Sequence, residues 1–169
     1  MVTLIGMGSG SWEALSAQAQ DAVRRAGLVF GAKRLLAGLP PECTARQFAL
    51  YQPAEILETL AQAPGQDAAV LYSGDTGFYS GASGLLTPLR ALGIPARVYP
   101  GVSSIQLLSA ALGRPWQDWK LVSAHGCACD PVAECMMNRS VFFLTGGTET
   151  PASLCQKLTD AGMGEAHGV

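Results

Sequence analysis

The sequence predicts an α/β protein in two lobes, a larger N-terminal lobe on a mostly parallel sheet and a smaller, incomplete C-terminal one. Three observations predict it. Short apolar runs alternate with longer amphipathic stretches, the pattern of strands alternating with helices. That βαβα order favours parallel strands with helices packed on the sheet. Finally, Gly113-Arg114-Pro115-Trp116-Gln117-Asp118-Trp119 breaks the pattern, and only two strands and one clear helix follow it. Two strands rarely make an independent sheet. The division is therefore residues 1–114, a linker at 115–119, and residues 120–169.

The elements follow in order. Thr3–Ile5 is the first strand, and Glu13 to Ala26 reads as a helix with Leu15, Ala19, Ala22 and Ala26 on one face. Leu28–Phe30 is the second strand. Pro53 opens a helix carrying Ile56, Leu57 and Leu60, which Pro64-Gly65 closes. Ala68–Tyr72 is the most apolar strand. Leu85, Leu89 and Leu92 line a helix ended by Gly93, with Pro88 predicting a kink or a late start. After the strand Ala96–Tyr99, Ser103 or Ser104 caps a helix with Ile105, Leu108 and Leu112 on one stripe and Gly113 as its stop. Leu121–Ala124 and Ser140–Leu144 are the last two strands. Thr150-Pro151 starts a final helix that turns Leu154 and Leu158 inward and ends at Gly162.

Composition narrows the function. Of 169 residues, 49% are apolar and 14% charged, which excludes a disordered chain or a coiled coil. Net charge is −2 and the eleven basic residues are scattered, so neither nucleic acid nor an anionic membrane is an expected partner. No apolar run approaches the roughly 20 residues that span a bilayer. Val2–Ile5 is too short for a signal peptide and lacks a basic leader. Five cysteines without a secretory signal argue against a disulfide framework. A soluble cytoplasmic protein is expected.

Three glycine loops carry the functional signal. Gly6-Met7-Gly8-Ser9-Gly10 sits between the first strand and the first helix. A dinucleotide fingerprint needs Gly at position 11, which is Ser11, and an acid near the end of the second strand, where none stands. A tight turn without a ligand is the competing reading. Ser73-Gly74-Asp75-Thr76-Gly77-Phe78-Tyr79 follows the most apolar strand, at the carboxyl end where open α/β sheets bind ligands. One carboxylate between two glycines and beside two aromatics suits a small ligand with an apolar ring and a hydroxyl or positive charge. A helix cap with its aromatics turned inward is the alternative. Pro100-Gly101-Val102-Ser103-Ser104 repeats the theme.

Together these segments resemble the tetrapyrrole (corrin/porphyrin) methylases, most of all the precorrin-6Y C5,15-methyltransferase subfamily. Gly31-Ala32-Lys33-Arg34-Leu35-Leu36, Ser123-Ala124-His125-Gly126 and Phe143-Leu144-Thr145-Gly146-Gly147 complete the set, in family order over nearly the whole chain. The resemblance implies an S-adenosylmethionine-dependent C-methyltransferase of corrin-ring biosynthesis, acting at C5 of precorrin-7 or cobalt-precorrin-7. It implies a homodimer with the methyl donor between the lobes and, as a partner, a decarboxylating C15-methyltransferase subunit. In the family the chain continues some tens of residues further, adding strands to the second lobe. The alternatives are a sister methylase acting at another ring position, or a non-catalytic donor-binding or subunit module.

By motif position, Ser73, Gly74, Asp75, Phe78, Ser103 and Ser104 are the implied donor-binding residues, joined by Leu144 and Thr145. The first loop, with Gly8 and Gly10, would line the tetrapyrrole trough. Lys33 and Arg34 are the candidates for anchoring its acetate and propionate carboxylates, since charge-assisted pairs are the stronger hydrogen bonds; a solvated helix start is their other reading. His125 follows a strand and is the candidate to take the released proton or bind a carboxylate, against a structural hydrogen bond. His125, Cys127, Cys129 and Cys135 invite a zinc reading, but Cys-x-Cys is tighter than zinc sites favour, and no metal is expected.

Overall fold

In the computed structural model, which describes residues 1–169, the chain divides into two units, Met1–Ser104 and Ile105–Val169. The first contains strands β1 (Val2–Gly6), β2 (Leu28–Phe30), β3 (Arg46–Phe48), β4 (Ala68–Tyr72) and β5 (Ala96–Tyr99). All pair in parallel, in the order β3-β2-β4-β1-β5. Helices α1 (Ala17–Arg25), α2 (Lys33–Leu36), α3 (Pro53–Ala61) and α4 (Ala82–Ala91) connect them.

Side chains on successive strand residues point to opposite faces, and both faces of this sheet are covered. Ile5, Val29, Ala69 and Leu71 pack with Leu15, Ala19, Val23, Leu35 and Leu36 around α1 and α2. Val2, Leu4, Leu28, Phe30, Ala68 and Val70 pack on the other face with Ile56, Leu85 and Leu89 from α3 and α4. A parallel sheet buried on both sides needs near-continuous apolar strands, which explains why Val2–Gly6 and Ala68–Tyr72 read so clearly. Because α1 lies on one face and α4 on the other, the connections leaving the neighbouring strands β1 and β4 diverge. That makes their carboxyl ends the switch point of the sheet.

The second unit is smaller. Helix α5 (Ser104–Leu112) begins at the boundary, followed by β6 (Lys120–Ser123), α6 (Pro131–Met137), β7 (Val141–Leu144) and α7 (Pro151–Asp160). Strands β6 and β7 form a two-stranded parallel sheet. Thr150 caps α7: its hydroxyl accepts from Ser153 N at 3.1 Å, while Thr150 N donates to Ser153 Oγ at 2.9 Å. No helix is long and apolar enough to cross a membrane.

Several expectations are corrected. The helix expected from Glu13 to Ala26 is split into a 3-10 turn at Trp12–Ala14 and α1, because the Ser16 hydroxyl accepts from Ala19 N at 3.3 Å and starts the helix there. Pro88 neither delays nor ends its helix; α4 runs through it from Ala82 to Ala91. Strand β3 and helix α6 were not expected, and α2 matches the helix start that was the other reading of Lys33 and Arg34. After residue 119 the chain holds two helices rather than one; the boundary between the units lies between Ser104 and Ile105, where the sequence reading kept α5 with residues 1–114.

Candidate functional site

The sheet order places the loops after β4, β1 and β5 side by side, and glycine lets them touch. A Cβ on Gly6 would lie 2.5 Å from Gly101 N and 2.7 Å from Gly74 O. One on Gly101 would run into Gly74 O and Gly6 O. No real side chain tolerates such approaches to backbone, so Gly6 and Gly101 are required by packing. Gly8 and Gly74 form an antiparallel bridge across the switch point, with Gly8 N donating to Gly74 O at 3.1 Å and Gly74 N to Gly8 O at 3.0 Å. Both adopt positive φ, +57° and +65°, which glycine reaches without steric cost.

This bridge settles the nature of the first loop. Met7 N donates to Tyr72 O at 2.7 Å and Gly10 N to Met7 O at 2.9 Å, so the amides of residues 7, 8 and 10 are all engaged. A pyrophosphate cradle needs a row of free amides at a helix start. The first loop has none to offer at these positions.

Asp75 acts as a second clasp. Its Oδ1 accepts from Gly77 N at 2.8 Å and its Oδ2 from Gly101 N at 3.1 Å, tying the loop after β4 to the loop after β5. A carboxylate has about four lone-pair sites, so acceptor capacity remains for a ligand hydroxyl or cation. Phe78 and Tyr79 follow, their rings edge to face at 4.9 Å and 69°. Ser103 is buried, and Ser104 is exposed as the first residue of α5. At Tyr72, burial pushes the hydroxyl up to about 12, so it stays protonated and supplies no base.

Arg34 joins this end of the sheet. It stands on α2, directly after β2, and its Nη2 donates to Ser73 Oγ at 2.6 Å. Its Nη1 lies 3.7 Å from where a Gly10 Cβ would stand. Arg34, Ser73 and the Gly8–Gly10 loop therefore meet, and Arg34 and the adjacent Lys33 are both exposed. Guanidinium carries five donors, and most of them remain for a carboxylate.

The second unit gathers its own candidates. Ala124 N donates to Leu144 O at 2.9 Å, which carries the strand pairing one step past β6. This brings His125 and Thr145 to the same carboxyl end of the β6–β7 pair. There the His125 imidazole lies against the backbone of Gly146, so closely that a Cβ on Gly146 would coincide with Nδ1. Gly6, Gly101 and Gly146 lie within the glycine-containing segments read from the sequence but were given no role there; the signal was a glycine at a strand end or two residues beyond it. No group of three or more His, Cys, Asp or Glu residues comes together to hold a metal. Burial, then Glu149, pushes the Cys129 thiol up, and burial followed by Glu134 does so at Cys135. An open cavity of about 520 Å³ lies between α6 and α7, lined by Cys129, Asp130 and Lys157 among others, and includes none of the expected site residues.

With this geometry in place, comparison with known proteins is decisive. The profile of the tetrapyrrole (corrin/porphyrin) methylases matches residues 1–167. The chain belongs to that family. It is a methyltransferase, and S-adenosylmethionine is the methyl donor of these enzymes. It is 31% identical over 166 residues to the cobalt-precorrin-7 C(5)-methyltransferase of Salmonella typhimurium, covering 97% of this chain and 80% of that protein. It is 30% identical over 169 residues to the decarboxylating precorrin-6Y C(5,15)-methyltransferase of a Sinorhizobium species, covering 98% of this chain and 40% of that one. The same fold occurs in the uroporphyrin-III C-methyltransferase of Thermus thermophilus solved with S-adenosylhomocysteine. There the TM-score is 0.70 and identity 22%, over 95% of this chain and 72% of the other.

Proposed function

We propose that this methylase transfers a methyl group from S-adenosylmethionine to C5 of the corrin-type ring of precorrin-7 or cobalt-precorrin-7. The observation that carries the reading is the 31% identity to a C5-specific enzyme along 97% of the chain. The strand-end loops support it chemically. The donor supplies an electrophilic methyl on a sulfonium sulfur, and a ring carbon displaces it, breaking one C–S bond and forming one C–C bond. Such a reaction needs alignment and exclusion of water more than a protein nucleophile, and orientation alone is worth roughly 7–11 kcal/mol.

The chain's residues divide the work. Asp75, Phe78, Ser73, Gly74, Ser103 and Ser104 hold the donor, Asp75 offering negative charge to a cationic ligand and Phe78 a face for a flat base. Arg34, with Lys33 beside it, receives a ring carboxylate at the Gly8–Gly10 loop. Leu144 and Thr145 keep the donor-binding role that the family gives them. His125 takes the proton released from the methylated carbon.

The reading also includes a homodimer in the cytoplasm, where five free cysteines persist as thiols. Methylation at C15 is left to a separate decarboxylating chain. The relative whose name covers both positions is matched over only 40% of its length, which supports that division.

The test is a calorimetric titration of the purified chain with S-adenosylhomocysteine, followed by incubation with precorrin-7 and S-adenosylmethionine. Stoichiometric binding and a mass gain of one methyl group at C5 are expected. Binding without transfer would favour a sister methylase or an inert donor-binding module. Asp75→Ala should weaken donor affinity while the fold survives, whereas changing both Lys33 and Arg34 to Ala should raise the substrate requirement and spare the donor.

A further inference from the structure

We propose that Tyr79 is an additional ligand-binding residue, whose ring, together with Phe78, forms an aromatic corner that receives a flat π-system. The proposal rests on the methylase reading above, which supplies two such systems: the adenine of the donor and the macrocycle of the substrate.

The argument begins with backbone strain. Tyr79 is the only non-glycine residue with positive φ, at +47°. A bulky side chain in the left-handed region is strained and persists only where the surroundings enforce it. Here they do. Gly74 is bridged to Gly8, Asp75 binds the amides of Gly77 and Gly101, and the Ser80 hydroxyl accepts from Ala82 N at 3.2 Å. The loop is clamped before and after the strained residue.

Burial recovers only part of that strain, because Tyr79 remains 53% exposed. Glycine would fit the position without penalty, and this loop already uses it at residues 74, 77 and 81. What a tyrosine adds is a rigid aromatic surface with few rotatable bonds. Its ring meets that of Phe78 at 69° with centroids 4.9 Å apart. A planar ligand stacked on one ring therefore meets the edge of the other, the two preferred aromatic geometries at once. The corner stands on the loop after β4, at the carboxyl end of the sheet and a few residues from Asp75.

Three variants test this: Tyr79→Gly, Tyr79→Phe and Tyr79→Asn. Asparagine tolerates the left-handed conformation and replaces the glycine variant if that one does not fold. Each is measured by thermal melting and by titration with two probes, S-adenosylhomocysteine and uroporphyrin III. Tyr79→Gly is expected to melt at or above the wild-type temperature yet lose at least fivefold in affinity for one probe, and that probe identifies the flat group. Tyr79→Phe should retain the affinity. A glycine variant that keeps both affinities within fivefold overturns the proposal, as does one that loses affinity only in step with its melting temperature. Wild-type chain that binds neither probe refutes the methylase reading itself and removes the basis of the proposal.

Discussion

The two units are held together by different means. In the first, fully buried side chains on both faces of the sheet surround β1, and backbone contacts among Gly6, Gly74 and Gly101 fix the loops at its carboxyl end. In the second, few side chains are buried, among them Val122, Phe142 and Leu154. Polar side chains carry a larger share there: Asp130 accepts from the amides of Val132 and Ala133 at 3.1 Å, Thr150 and Ser153 cap α7, and Lys157 pairs with Glu149 at 2.6 Å. Burial and backbone geometry are insensitive to pH and salt, whereas the carboxylate cap of Asp130 and the surface ion pair are not. The second unit should therefore yield first to changes in solution conditions, and the first to changes in side-chain volume.

The sharpest way to break that contrast is Phe30→Ala. Phe30 is fully buried and stacks on Phe48 at 5.2 Å, so its removal should cost about 3–5 kcal/mol. Denaturant unfolding measures this, and a loss below about 1 kcal/mol would mean the first core relaxes freely. Gly101→Ala comes next. The new methyl must push apart the loops after β1 and β4, costing about 1–3 kcal/mol by overpacking and weakening donor binding along with it. Unchanged calorimetry would show that the loop junction is looser than its geometry. Thr150→Ala should cost about 1 kcal/mol by losing the cap of α7, seen as reduced amide protection at Ser153.

The smallest effect is a titration. The hydrogen bond from Lys157, with a further one from Ser153, holds the Glu149 carboxyl below its usual value near 4.5. A depressed carboxylate contributes stability that is present above the unfolded pKa and lost as pH falls through the folded one. The α7 end should therefore loosen in acid below about pH 4.5, and Glu149→Gln should remove that pH dependence. Amide exchange in α7 that stays pH-independent through this range in the wild type would contradict the assignment.

What the sequence made legible follows from the same contrast. Strand β4 was readable because its four consecutive buried residues, Ala68 to Leu71, must all be apolar or small. Strand β3 was not, because Arg46-Gln47-Phe48 is a three-residue edge strand, formed by pairing with β2 and by the packing of Phe48 alone. Helix α6 has seven residues and leaves Met136 and Met137 exposed, so it carries no periodic stripe; its Asp130-Pro131 start was the readable sign. The loops of the site announced themselves through glycine and hydroxyl residues at strand ends. Their mutual contact did not, since only the order β4-β1-β5 brings residues 6, 74 and 101 together. The closeness of Arg34 to Ser73 depends likewise on β2 pairing with β4.

The central position of β1 has a consequence for biogenesis. Val2–Gly6 pairs with Ala68–Tyr72 and Ala96–Tyr99, and with nothing in between. At a synthesis rate of about 5–20 residues per second, this apolar segment emerges from the ribosome several seconds before either neighbour exists. Pairings so distant in sequence also form slowly. Until then the stretch Val-Thr-Leu-Ile is an unpaired, sticky ribbon, and nascent chains of this methylase should engage chaperones most strongly before β4 has been translated.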